Sequence, residues 1–105
     1  MRTIRMLDEA KDEFDAILGY VHNKHGIRTE RKVYDDILQR ILQLDTMPEL
    51  GTVDTNLQYQ GNTVRVPHSK HTRIIYAIRD TEIVIVMLWN SQQDDRKMMA
   101  VLGKR

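Results

Sequence analysis

Seven consecutive residues, Ile83 to Trp89, are apolar, and none of them marks a solvent side. A strand sends alternate side chains to opposite faces, so this run has both faces buried and is expected to be a central strand. A membrane-spanning helix needs about 20 apolar residues, and the run is far too short for that. A chain of 105 residues has room for one modest core, so residues 1–105 are expected to form a single domain.

The hydrophobic period changes halfway along the chain. Thr3 to Leu7 is a short first strand, with Asp8 as the N-cap of the helix after it. Ala10, Phe14, Ile17, Leu18 and Val21 recur at helical spacing, and Gly26 after His25 is a helix C-cap. A second helix is expected from near Thr29, with Glu30 in its first turn. Its apolar stripe is Val33, Tyr34, Ile37, Leu38, Ile41 and Leu44, and Pro48 and Gly51 end it. Two amphipathic helices with a short link form an antiparallel hairpin.

Strand signals follow. Asn56 to Tyr59 is a short or irregular strand, Gly61-Asn62 a turn, and Thr63 to Val66 a strand stopped by Pro67. His71 to Arg79 and Glu82 to Trp89 are rich in Ile, Val and Tyr, joined tightly by Asp80-Thr81. Arg96 to Leu102 is a short final helix. The expected fold is α+β: an N-terminal strand, a two-helix antiparallel hairpin packed on a mainly antiparallel sheet of three to four strands, and a short C-terminal helix.

Cysteine is absent, which excludes a disulfide framework, a thiolate metal site and a cysteine nucleophile. Met1 to Leu7 lacks the apolar core of a secretory leader, so a cytoplasmic location is expected. The formal net charge is +1 but is unevenly placed: residues 1–50 carry −2 and residues 51–105 carry +3. No acid stands between Asp54 and Asp80, a stretch that holds Arg65, His68, Lys70, His71, Arg73 and Arg79. A local cluster of one sign says more about partners than the net value does.

Alternation along His71 to Arg79 places Thr72, Ile74, Tyr76 and Ile78 on one face. Arg73, Ile75, Ala77 and Arg79 fall on the other, expected to be the less covered one. With Arg65 on the neighbouring strand and Lys70 in the loop, these arginines suit phosphate, which guanidinium binds bidentately. A solvated sheet face explains the same residues. The His22/His25 and His68/His71 pairs have ligand-like spacing but no third ligand, so neither a metal nor any other cofactor is expected. Asp8, Glu9, Asp12, Glu13 and Asp15 suit a helix N-terminus and a solvated face better than acid/base catalysis. Ser69 and Ser91 lack base and acid partners, and Met98 and Met99 are expected to pack.

One family draws these pieces together. The early strand, the hairpin with Ala10, Phe14, Ile17, Tyr20 and Gly26, and the Met-Pro-Glu-Leu-Gly stretch at 47–51 come first. Val64-Arg65-Val66, Thr72 to Ile78, Asp80 and Ile83 to Trp89 follow. In this order the chain resembles the RelE/ParE superfamily of toxins over nearly its whole length. The resemblance implies a toxin of a bacterial type II toxin–antitoxin module, neutralised by a cognate antitoxin in a hetero-oligomer.

RelE-like members of that superfamily cut messenger RNA on the ribosome, whereas ParE-like members poison DNA gyrase. Cutting relies on several sheet cations, a late arginine and a tyrosine near the end of the chain. Arg73 matches the middle-strand arginine, with Arg65, Lys70, His68 and His71 as the remaining nuclease candidates. The late arginine position holds Gln92 or Gln93, and the tyrosine position Met98 or Met99. Glutamine supplies no permanent cation and methionine transfers no proton. A ParE-like gyrase inhibitor is therefore the expected function, with Arg65, Lys70, Arg73, Arg79, Gln92 and Gln93 facing the target. A RelE-like ribosome-dependent nuclease acting on mRNA is the alternative, and a non-toxic nucleic-acid- or protein-binding member is a third. Tyr20, Tyr34, Arg73 and Trp89 are the expected antitoxin contacts.

Overall fold

The computed structural model describes residues 3–67, 72–90 and 94–105. His68, Ser69, Lys70, His71, Ser91, Gln92 and Gln93 lie outside the described residues, and so do the roles expected of them. The elements run β1 (Thr3–Met6), α1 (Asp8–His25), α2 (Ile27–Thr46), β2 (Thr52–Tyr59), β3 (Asn62–Val66), β4 (Thr72–Ile78), β5 (Glu82–Asn90) and α3 (Asp95–Leu102). The strands form one five-stranded sheet in the order β1-β5-β4-β3-β2. β1 pairs parallel to β5, and the other pairings are antiparallel. The N-terminal strand thus adds a fifth strand beside the apolar run, which keeps β5 interior along that stretch.

Several boundaries differ from the sequence expectation, and three of them have a clear local reason. Asp8 lies inside α1 rather than capping it. Leu7 takes the cap position with extended backbone, because its N–H is held by the Ile85 carbonyl at 3.0 Å as a continuation of the β1 pairing. The second helix begins at Ile27 instead of near Thr29. Gly26, at φ 87°, ends α1 and starts α2 in a single residue, a conformation that favours glycine. β2 is eight residues long and starts at Thr52. Its first half shows no apolar alternation because it is a solvated edge, joined to β3 through Val53↔Arg65 and Asp54↔Val64. The β2–β3 turn is Gln60-Gly61, both at positive φ (49° and 79°), as a two-residue hairpin turn of this hand requires.

Both sheet faces are covered. Ala10, Ile37, Ile41 and Leu44 of the hairpin pack on Ile74, Tyr76, Ile83, Ile85 and Leu88. Met98 and Leu102 of α3 pack on the opposite face with Leu57, Tyr59, Val64, Ile75, Ala77, Val84, Val86 and Met87. Full burial of such side chains contributes roughly 1.5–3 kcal/mol each. The expectation that Ile75 and Ala77 lie on a less covered face is corrected, since both are completely buried in the core that Leu57, Tyr59, Met98 and Leu102 help to form. A bulge interrupts the alternation of β5. Ile75 pairs with Met87 but Tyr76 pairs with Ile85, so Val86 is an extra residue that shares its face with Met87.

Candidate functional site

Tyr76 and Arg65 sit opposite each other on β4 and β3 and fasten the segment that follows α2. The Tyr76 hydroxyl accepts from the Gly51 N–H at 2.9 Å and donates to the Pro48 carbonyl at 2.7 Å. Burial pushes this hydroxyl above its ordinary value of 10.0, partly offset by the Gly51 hydrogen bond and the Arg65 charge. Arg65 Nη1 donates to the Gly51 carbonyl at 2.7 Å and the Glu49 carbonyl at 3.3 Å. The Met-Pro-Glu-Leu-Gly stretch is thus tied to the sheet by one phenol and one guanidinium.

That placement divides the arginines that the sequence groups together. Arg65 shares a face with Tyr76, on the hairpin side. Arg73 pairs with Trp89, which packs with the α3-side core, so Arg73 belongs to the opposite face. Arg79 lies just beyond β4 at the far end of that strand. Its Nη2 meets Gln60 Oε1 at 3.0 Å and its guanidinium lies over the Tyr59 ring at 5.4 Å. The three described arginines therefore form no single surface. The expectation that Arg65 joins Arg73 is corrected, because directly paired residues share a face and alternate neighbours do not.

A cleft of about 820 Å³ opens elsewhere, between the helix hairpin and the Thr72/Asn90 end of the sheet. Ile17, Tyr20 and Val21 come from α1, Val33 and Ile37 from α2, and Leu88, Trp89 and Asn90 from β5, with Glu13 and Asp36 among the polar lining. Helical spacing turns Ile17, Tyr20 and Val21 to one side of α1. Tyr20 is 51% exposed, with Lys24 Nζ over its ring at 5.2 Å. The Trp89 indole N–H is buried and has no hydrogen-bond partner among the described residues. Tyr34 lies outside the cleft. It is 44% exposed and stacks on Phe14, ring centroids 5.6 Å apart. Of the four expected antitoxin contacts, then, Tyr20 and Trp89 share the cleft, Tyr34 marks the outer surface of the hairpin, and Arg73 lies on the α3 side beside Trp89.

One polar group at this site is not apparent in the sequence. Glu13, on the acidic side of α1, takes two hydrogen bonds from Arg105, Nη1 to Oε1 at 2.9 Å and Nη2 to Oε2 at 2.8 Å. It also accepts from the Leu88 N–H at 3.2 Å. No spacing rule links positions 13 and 105; the clue available was an acid on α1 near the apolar stripe. Among the described residues, no group of three or more histidines, aspartates or glutamates is placed to hold a metal, and no helix is long and apolar enough to cross a membrane.

The fold is an α+β domain in which a helix hairpin and a short C-terminal helix cover the two faces of a mainly antiparallel sheet. The model of the family described as "ParE toxin of type II toxin-antitoxin system, parDE" matches residues 4–95, and the chain belongs to that family. A solved structure described as a chromosomal ParDE toxin–antitoxin system from P. aeruginosa is similar at TM-score 0.69 and 18% identity, covering 86% of this chain and 96% of that one. At that identity the likeness concerns the fold. No curated protein matches the sequence.

Proposed function

We propose that this toxin arrests growth by binding DNA gyrase, without cutting nucleic acid, and is neutralised by an antitoxin that occupies the cleft. The observation that carries this reading is the dispersal, among the described residues, of the arginines Arg65, Arg73 and Arg79. Phosphodiester cleavage needs cations and a proton donor converging on one scissile phosphate. Here Arg65 is spent on backbone carbonyls of 49 and 51, Arg79 on Gln60 and Tyr59, and Arg73 faces the other way from Arg65. At the tyrosine position expected for cutting, Met98 is buried in the core and Met99 is exposed, and neither carries a transferable proton.

The cleft supports the antitoxin half of the proposal. A concave apolar surface between two helices and a sheet end suits an amphipathic segment, and Tyr20 offers a large anchor at its rim. In a purified supercoiling assay the toxin is expected to stall gyrase, and antitoxin is expected to relieve the block. Primer extension on translated messages is expected to show no new 5′ ends. Normal supercoiling at high toxin excess together with new 5′ ends abolished by Arg73→Ala would reverse the assignment in favour of the nuclease.

A further inference from the structure

β1 covers the outer edge of β5 only as far as Ile85, where Met6 is its last register partner and Leu7 adds a final hydrogen bond. Beyond Ile85, among the described residues, no strand lies beside β5 on that side. Two side chains stand where a strand would. Glu13 Oε1 accepts from the Leu88 N–H at 3.2 Å, and Arg105 Nη1 donates to the carbonyl of the bulge residue Val86 at 2.8 Å. A carboxylate offered to an amide and a guanidinium offered to a carbonyl supply what a neighbouring backbone would supply.

The two side chains also bind each other through both carboxylate oxygens, with only 9% (Arg105) and 20% (Glu13) of their surfaces exposed. Glu13 comes from α1 on one face of the sheet. Arg105 comes from beyond α3, which covers the other face. Their bond closes around the sheet edge, and Glu13 and Leu88 both line the cleft. A cation this buried does not tolerate loss of its carboxylate without a replacement.

We propose that the Glu13–Arg105 pair is a displaceable clip on the open edge of β5, and that the antitoxin segment which replaces it is extended and acidic. The segment pairs its backbone with Val86 and Leu88 and presents its own carboxylate to Arg105, freeing Glu13. This rests on the antitoxin reading above and specifies the chemistry of the partner. It predicts opposite signs for the two halves of the clip. Glu13→Gln removes the competitor for Arg105 and should tighten antitoxin binding about tenfold; Arg105→Gln removes the cation that both carboxylates want and should weaken it about tenfold.

The experiment is titration calorimetry of each variant and the wild type with the purified product of the neighbouring gene. Changes of the same sign, or no change, overturn the clip while leaving the antitoxin reading standing. Failure of that product to bind the wild type overturns both. If either variant does not fold, the wild-type complex decides by NMR: cross-strand contacts between the partner backbone and Leu88 are expected, and their absence overturns the proposal.

Discussion

Tyr76 shows how one side chain can be core and connector together. Its ring is fully buried against the hairpin while its hydroxyl holds both ends of the 48–51 segment. Tyr76→Phe keeps the ring but leaves the Gly51 N–H and the Pro48 carbonyl without their partner, so urea denaturation should show a loss of roughly 1–3 kcal/mol. The hydroxyl also has a pH signature. Its folded-state pKa is raised by burial, so its contribution is fully present below its ordinary value of 10.0 and is lost as pH rises through the folded value. The wild type should therefore lose its stability advantage over Tyr76→Phe in that alkaline range. Gly51 is constrained by space: a Cβ there would meet Pro67 N at 2.8 Å and the Val66 carbonyl carbon at 2.9 Å. These are backbone atoms that cannot rotate away, so Gly51→Ala should cost about 1–3 kcal/mol, visible as a lower melting temperature. Arg65 was legible in the sequence as a cation but not as a fastener, because its partners are carbonyls at positions 49 and 51 that only the fold brings near.

Among the elements, β1 is held least by burial and most by polar contact. Its four residues are exposed or half-exposed, and its parallel pairing to β5 is reinforced by Arg5 Nε and Nη2 on the Glu82 carboxylate, both at 3.0 Å. The hydrogen bond from Arg5 lowers the Glu82 pKa below its ordinary 4.5. A depressed carboxylate contributes stability above the unfolded value and loses it as pH falls through the folded one. Amide exchange should therefore show β1 losing protection as pH falls below 4.5, and Glu82→Gln should remove that pH dependence. Such an exposed pair contributes little at neutral pH. The helices and the succession of strands along the chain were legible from period alone, but the place of β1 as a fifth, parallel strand beside β5 was not. Nor was the bulge at Val86, since an apolar run carries no polar residue to reveal a shift of register.

At the scale of the whole molecule, the cleft joins residues from α1, α2 and β5 that lie up to 77 positions apart, from Glu13 to Asn90. Tyr20→Ala should leave the melting temperature nearly unchanged, because half of the side chain is already in solvent. It should weaken antitoxin binding by at least tenfold if the tyrosine anchors the partner, which surface plasmon resonance against the neighbouring gene product would measure. Among the described residues, the three arginines of the acid-free stretch, Arg65, Arg73 and Arg79, do not form one basic surface. The pleat sends Arg65 and Arg73 to opposite faces, and Arg79 is turned onto Tyr59 and Gln60.

The run from Ile83 to Trp89 had to be covered on both faces, and the sequence alone was enough to place it as a strand under a helix hairpin and beside further strands, although it is an interior strand only as far as Ile85. Short-range periodicity carries that information, because burial demands it residue by residue. What covers each face, where the strand bulges, and how Glu13 meets Arg105 across the uncovered part of its edge were decided by the tertiary structure. Those contacts join distant positions through space, and no local pattern in the chain encodes them.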